Sequence, residues 1–361
     1  MNNLITVSNL KKRFNLEAGF FSRFGKFVYA VNDVSFSIDK NESYGLVGES
    51  GCGKTTTARL LVRMYEADEG KIIFNESEAL RAAYEGLSPN DRPVSEEKYA
   101  SIDVRSLGKK ELRRYREKVK YVFQDPARSL NPRMSVYEVL VSGSRFSLMR
   151  KGTHQTEKQL KGSAAAILEE VGLGKDDLDR RPAEFSGGQR QRISIARGLL
   201  MQPELLICDE VVSALDVSIQ GQILNLLLDI REKRNLSFLF IAHDLKVACY
   251  FCDRIGVMYR GELMEEAPAA DLYKRGLHPY TELLFSSAAG LPAIAKAKFL
   301  KDENQVNTET TRIETGKIDT TTQSTGCAFA GRCKFAGKRC FIEHPDMREI
   351  EKGHKIRCFR V

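Results

Sequence analysis

At 361 residues, 42% hydrophobic and 29% charged, the chain has apolar material for one large domain or two smaller ones and the composition of a globular protein. No run approaches the roughly 18 apolar residues of a membrane-spanning helix, and the N-terminal MNNLITVSNLKKRF lacks the uninterrupted apolar stretch of a secretory signal, so the cytoplasm is the expected compartment. The formal net charge of +8 is spread along the chain without the interleaved aromatics of a single-strand binding groove; it reads as solvated surface, and no nucleic-acid partner is expected.

The first chemical signal is GLVGESGCGKTTTARLL, from Gly45. Residues Gly48 to Thr55 fit G-x-x-x-x-G-K-[ST] without departure, after an apolar run and before a helix-compatible TTARLLVRMY, which predicts strand, loop and helix. Gly48, Gly51 and Gly53 let the backbone turn so that successive N–H groups converge on phosphate oxygens, with Glu49, Ser50, Cys52 and Thr56 completing the cradle. Lys54 supplies charge for the terminal phosphates, and the Thr55 hydroxyl can ligate magnesium. A nucleoside triphosphate is the expected ligand.

The polar stretch from Asn75 to Lys118 reads as a surface insertion. Farther on, PELLICDEVVSALD sets the apolar run Leu205 to Cys208 directly before Asp209 and Glu210. Such a run predicts a strand buried in a parallel sheet, delivering Asp209 to hold magnesium and Glu210 to polarise the attacking water. A third strand-like segment, SFLFIAHDL, ends in His243, where the γ-phosphate is expected.

The family is carried by EFSGGQRQRISIARGLL. Ser186, Gly187, Gly188 and Gln189 match the signature motif of ATP-binding cassette proteins, between the glutamine loop YVFQDPARSLNP, with Gln124, and the acidic pair. SALD, ending at Asp216, resembles the D-loop, and His243 the H-loop histidine. The resemblance implies an α/β P-loop NTPase fold: a RecA-like core, an antiparallel β subdomain and a helical signature subdomain. It also implies a role for Gln124 at the magnesium and in catalysis, and a head-to-tail dimer in which each ATP lies between the phosphate loop of one cassette and the signature of the other. Adenine in such sites stacks on an upstream aromatic, for which Phe14 is preferred over Tyr29.

A narrower resemblance comes from LHPYTELLFSSAAG, GESGCGKTTTARLLVRMYEADEG, FQDPARSLNPRMSV and SALDVSIQGQILNLL, which are similar to the ATPase subunits of oligopeptide and dipeptide permeases, the second of the usual pair in particular. The implied protein energises peptide uptake from the cytoplasmic face of the membrane. Its implied partners are a second homologous ATPase, giving a heterodimer, two transmembrane permease subunits and an extracytoplasmic solute-binding protein. Nickel, oligosaccharides or another solute are alternative cargoes. A soluble ABC ATPase acting on nucleic acid or ribosomes is the rival, but long heptad arms and a second cassette are both missing from the sequence. Val211 stands where the family usually has proline, with Glu210 intact.

The expected division is an ATPase domain over residues 1–275, with a helical part at 126–183 that couples to the membrane subunits, an extension over 276–300, a Thr-rich linker over 301–325 and a four-cysteine module over 326–361. Cys52, Cys208, Cys249 and Cys252 read as buried thiols. Cys327, Cys333, Cys340 and Cys358, spaced C-x5-C-x6-C-x17-C, can complete the shell of a zinc ion or an iron–sulfur cluster. The gaps are wider than in zinc ribbons, and permease ATPases resembled here often end with this spacing, which in some holds a [4Fe-4S] cluster; the cluster is preferred over zinc. So short a module buries little apolar surface, and the metal is expected to stabilise it.

Overall fold

The computed structural model describes residues 3–15, 27–75, 102–151, 156–287 and 325–361. Two sheets organise them. Strands β1 (Asn3–Asn15), β2 (Phe27–Asp39), β4 (Glu69–Phe74) and β5 (Ile102–Asp103) form an antiparallel sheet in the order β2-β1-β4-β5. Alternation along β2 sends Val34, Phe36 and Ile38 inward to join Ile5, Val7 and Leu10 of β1.

The second sheet holds β3 (Ser43–Val47), β6 (Val119–Val122), β7 (Leu205–Asp209), β8 (Ser237–Ala242), β9 (Arg254–Tyr259), β10 (Glu262–Pro268), β11 (Arg348–Glu351) and β12 (His354–Ile356). Its order is β11-β12-β10-β9-β3-β8-β7-β6, and β9, β3, β8, β7 and β6 run parallel. Every residue of β3, β7 and β8 is buried, which is why these strands read as continuous apolar runs rather than alternating ones. A helical layer comprising Val136–Lys151, Glu157–Glu170 and Gly187–Leu199 packs through Leu140, Leu160, Ile167, Leu168 and Ile193. Arg234, at the end of the helix Val217–Arg234, donates to Glu170 at 2.7 Å and ties the layer down.

The stretch expected as a surface insertion, residues 75–118, divides. Residues 76–101 lie outside the described residues, whereas 102–118, largely exposed, reach the core through Val104, Leu107 and Tyr115. β5 pairs with β4, Val104 is buried, and Tyr115 of the helix Lys109–Lys118 packs edge-on to Phe74 while donating to the Leu61 carbonyl at 2.7 Å. Val104 and Tyr115 are spaced too far apart in polar sequence to announce a core face. Residues 288–324, which hold most of the expected extension and linker, also lie outside the described residues.

The C-terminal segment does not form a unit held by metal alone. Its hairpin β11–β12 adds two strands to the cassette's own sheet, with Ile356 opposite Glu265. Phe329 is 2% exposed, among the rings of Tyr259, Tyr280 and His278. A segment too small for its own core uses the one already present.

Carboxylates on β10 direct this docking. Glu262, Glu265 and Glu266 are at most 5% exposed, and each meets a group from the C-terminal segment. Glu262 faces His344 Nε2 at 2.8 Å, Glu265 faces His354 Nε2 at 2.7 Å, and Glu266 faces Lys355 Nζ at 3.7 Å as well as Arg254 of β9. Glu265 also accepts the backbone N–H groups of Leu277 and His278, at 2.9 and 3.0 Å. Burial alone would raise the Glu265 pKa, but the bonds from His354 and these two N–H groups outweigh it and hold the carboxyl below its ordinary value. The helix Pro279–Ser287 starts at this anchor, and His278 Nδ1 accepts the Tyr280 N–H at 3.0 Å.

Two outcomes follow for the full chain. His354→Ala strips a hydrogen bond from a buried carboxylate and should lower stability by about 2–3 kcal/mol in denaturant titration; an unchanged midpoint would mean the contact contributes nothing. Burial pushes the His278 imidazole down to about 4. A histidine depressed in the fold contributes stability that is complete above its unfolded value near 6.5 and is lost as pH falls towards 4. His278→Asn, which can keep an acceptor for the Tyr280 N–H, should therefore flatten the fall in thermal midpoint between pH 6.5 and 4.

Candidate functional site

Four neighbouring parallel strands, β3, β6, β7 and β8, bring the predicted residues to one edge of the sheet. The loop after β3 carries Gly48 to Thr56, the turn after β6 carries Gln124, β7 ends in Asp209 followed by Glu210, and β8 is followed by His243. This is the C-terminal side of the strands, where open α/β sheets bind ligands.

Two loop glycines are required by close backbone approach. A Cβ at Gly48 would lie 2.1 Å from the Met258 carbonyl oxygen, and one at Gly53, whose φ is +109°, would lie 2.1 Å from that of Ala30. Cys52 is buried behind the loop and its thiol is pushed up by burial, so it fills space. Lys54 is 3% exposed and donates to the carbonyls of Gly48 at 2.7 Å and Glu49 at 3.0 Å. Its helix, Lys54–Leu61, starts at the loop and directs its positive end there.

Thr55 Oγ1 donates to Asp209 Oδ1 at 2.9 Å, joining the phosphate loop to the end of β7. The other Asp209 oxygen accepts from the Tyr121 hydroxyl at 2.5 Å. Burial, followed by the Asp209 charge, raises the Tyr121 pKa, so it stays a donor. Gln124 Nε2 donates to Glu210 Oε2 at 2.7 Å, which orients that carboxylate. Glu210 has a left-handed φ of +49°, fixed by its N–H on the Ile241 carbonyl and by Ser213 Oγ donating to its own carbonyl at 2.9 Å. A non-glycine residue held there turns the chain sharply and stores strain at the strand end. Exposed His243 lines a cavity of about 60 Å³ together with Glu210.

The signature lies elsewhere. Ser186 is exposed and caps the helix Gly187–Leu199, its Oγ accepting the Gln189 N–H at 3.3 Å while Gln189 Oε1 accepts the Ser186 N–H at 2.9 Å. A Cβ on Gly188 would come within 2.7 Å of Ile219, so the signature packs against the helix that Asp216 begins. Asp216 is exposed, and Val217 beside it is 65% exposed. Phe14, half-buried at the end of β1, packs edge-on to Tyr65 with Lys12 at 5.5 Å from its ring centre.

Cys327, Cys333, Cys340 and Cys358 line one cavity of about 280 Å³ together with His278 and Phe329. No group of three or more His, Cys, Asp or Glu side chains among the described residues is arranged to hold a metal ion. Burial pushes the Cys327 thiol up to about 11 and also raises that of Cys333. Cys52, Cys208, Cys249 and Cys252 are all buried. Sequence reasoning missed Tyr121 and two contacts that reach the phosphate loop from the far end of the chain. Glu49 donates its N–H to Tyr280 Oη at 2.9 Å, and its carboxylate pairs with Arg332. Tyr280 had a local signal in LHPYT; Arg332 had none.

Fold and site together define a P-loop nucleotide-binding cassette. The ABC transporter family model matches residues 31–213, and the model of the oligopeptide/dipeptide transporter C-terminal region matches residues 264–340. The chain belongs to the ABC transporter family. It is 43% identical over 284 residues to the oligopeptide transport ATP-binding protein OppF of Bacillus subtilis (strain 168), covering 79% of this chain and 82% of that one. To AppF of the same organism, also an oligopeptide transport ATP-binding protein, it is 37% identical across 98% of this chain and 96% of the relative. Among solved structures, a dimeric ATP-binding cassette in a post-hydrolysis state with ADP and Pi superposes with a TM-score of 0.58 at 23% identity, covering 76% of this chain and all of that one. No helix among the described residues is long and apolar enough to cross a membrane.

Proposed function

We propose that this chain is the ATP-binding and ATP-hydrolysing subunit of an ABC importer that takes up oligopeptides or dipeptides. The observation that carries the reading is the joining of Thr55 to Asp209 and of Gln124 to Glu210 at adjacent strand ends, in a chain whose relatives are named for oligopeptide transport. The Gly48–Thr56 loop wraps the phosphates, Lys54 supplies charge, and Phe14 stacks on adenine. Thr55 and Asp209, with Gln124, hold Mg²⁺. The fit is supported by the 2.9 Å between Thr55 Oγ1 and Asp209 Oδ1, since adjacent ligands of an octahedron with bonds of about 2.1 Å lie about 3 Å apart. Bound there, Mg²⁺ neutralises charge on the phosphate oxygens. Glu210 takes a proton from the attacking water, and Gln124 keeps its carboxylate aimed; His243 meets the γ-phosphate.

The Ser186–Gln189 signature, exposed at Ser186 and half-buried at Gly187 to Gln189, acts on the ATP of a partner cassette, with Asp216 and Val217 in the shared face. A second homologous ATPase, giving a heterodimer, is the partner. Two transmembrane permease subunits meet the region 126–183 and Gln124, an extracytoplasmic solute-binding protein delivers the peptide, and the chain sits peripherally on the cytoplasmic face. Residues 1–275 act as the ATPase unit, 276–300 as its extension, 301–325 as a linker and 326–361 as the cysteine module, with Leu277, His278 and His354 bonded to Glu265 of β10.

The four thiols hold a [4Fe-4S] cluster. The reading is supported by the spacing C-x5-C-x6-C-x17-C, wider than that of zinc ribbons, and by the lining of one cavity of about 280 Å³ by all four cysteines.

In the assembled transporter, Glu210→Gln should retain ATP binding but lower phosphate release about a hundredfold or more and accumulate closed dimers; turnover at the wild-type rate removes Glu210 from its role. Anaerobic purification should yield a coloured protein with about four iron and four sulfide per chain. A colourless protein with one zinc would replace the cluster by the ion.

A further inference from the structure

Glu49 follows Gly48 in the phosphate loop, at a position where the motif demands no particular residue. Yet each of its polar groups is taken. Its N–H donates to Tyr280 Oη at 2.9 Å, and its carbonyl accepts from Lys54 Nζ at 3.0 Å. Its carboxylate accepts two parallel bonds from Arg332, Nη1 to Oε2 at 2.8 Å and Nη2 to Oε1 at 2.9 Å. Arg332 lies 283 residues farther along the chain, in the 3-10 turn Ala330–Arg332 between Cys327 and Cys333. Its guanidinium is 5.7 Å from the Tyr259 ring centre and 5.8 Å from that of Phe329. The two paired side chains are only 20% and 23% exposed. The planar fork is thus oriented by packed aromatics before it meets the carboxylate.

We propose that Arg332 is a positioning residue for the nucleotide site, through which the C-terminal cysteine segment sets the charge and shape of the phosphate loop. The inference rests on the reading of Gly48 to Thr56 as the ATP site. An unpaired carboxylate next to Gly48 would set negative charge beside a triphosphate. Paired bidentately, that charge is neutralised and the side chain is drawn towards the C-terminal segment. With Tyr280 holding the N–H of the same residue, the first turn of the loop is fixed from outside the motif. A lysine would neutralise Glu49 without reproducing the two-bond geometry.

The test is equilibrium binding of a fluorescent ATP analogue with Mg²⁺ to the full chain, together with the ATP dependence of hydrolysis in the assembled transporter. Arg332→Ala should weaken binding about tenfold and raise KM for ATP by a similar factor with kcat within about twofold, as expected for a lost charge-assisted pair. Adding Glu49→Gln to Arg332→Ala should restore most of the affinity, because the repelling charge is then gone; a merely structural role for Arg332 would leave the double variant as weak as the single. Binding by Arg332→Ala within twofold of wild type, at unchanged thermal midpoint and metal content, overturns the proposal. Should Arg332→Ala fail to fold or lose its metal, Arg332→Lys carries the test. A KM raised about threefold at unchanged metal content supports the proposal, and an unchanged KM overturns it. Failure of the wild-type chain to bind the analogue would strike the ATP-site reading itself, a result distinct from any of these.

Discussion

Three carboxylates on one strand set the constraint on which the rest of the C-terminal half depends. Glu262, Glu265 and Glu266 of β10 are buried, and a buried carboxylate costs several kcal/mol unless donors and cations meet it. Neighbouring residues of a strand face opposite sides of the sheet, so Glu265 and Glu266 need partners on both faces. Arg254 meets Glu266 from the neighbouring strand β9, and the hairpin β11–β12 brings His354 and Lys355, while His344 precedes it. The same hairpin pairs an otherwise open sheet edge. Docking the C-terminal segment therefore resolves an electrostatic and a hydrogen-bonding requirement at once.

That anchor reaches the nucleotide site by short steps. Glu265 holds the N–H groups of Leu277 and His278, which starts the helix Pro279–Ser287 and sets Tyr280 in the core at 0% exposure. The Tyr280 hydroxyl then accepts the Glu49 N–H. Phe329 packs on the same ring and carries Arg332 to the Glu49 carboxylate. Residues that look peripheral in sequence thus form the outer wall of the phosphate loop. The loop's inner wall, Thr55 on Asp209 and Lys54 on its own carbonyls, is built from the motif itself.

What the sequence disclosed follows this division. Gly48–Thr55, Asp209–Glu210 and His243 were legible because each couples a short apolar run to the chemistry at its end, and a buried parallel strand cannot hide that pattern. The docking of residues 326–361 was not legible. Strand β12 is three residues long, and a pairing such as Ile356 with Glu265 leaves no local trace. Nothing local in the sequence marks Glu265 and Glu266 as buried, because burial of a carboxylate depends on partners supplied from about ninety residues away. The Tyr121 bond to Asp209 was hidden for a related reason: a tyrosine in a partly buried strand reads as packing, and its hydroxyl partner is fixed only by strand order.

The phosphate loop and the signature, the two phosphate-directed surfaces of the proposed function, obey different logics. The loop side is enclosed, with Lys54 and Asp209 almost fully buried and Glu49 bonded through every polar group. The signature side is open: Ser186 and Asp216 are exposed, Val217 presents an apolar side chain to the surface, and the capping box satisfies the Gln189 N–H inside its own turn. The first N–H groups of a helix find no partner along the helix, so the Gly187 and Gly188 end suits an anion brought by another molecule. An enclosed half and an open half on one chain agree with the proposal that the site is completed between two cassettes. On that reading, the C-terminal segment stiffens the half of the site that the chain supplies for its own ATP, and leaves to the partner the half whose arrival must be reversible.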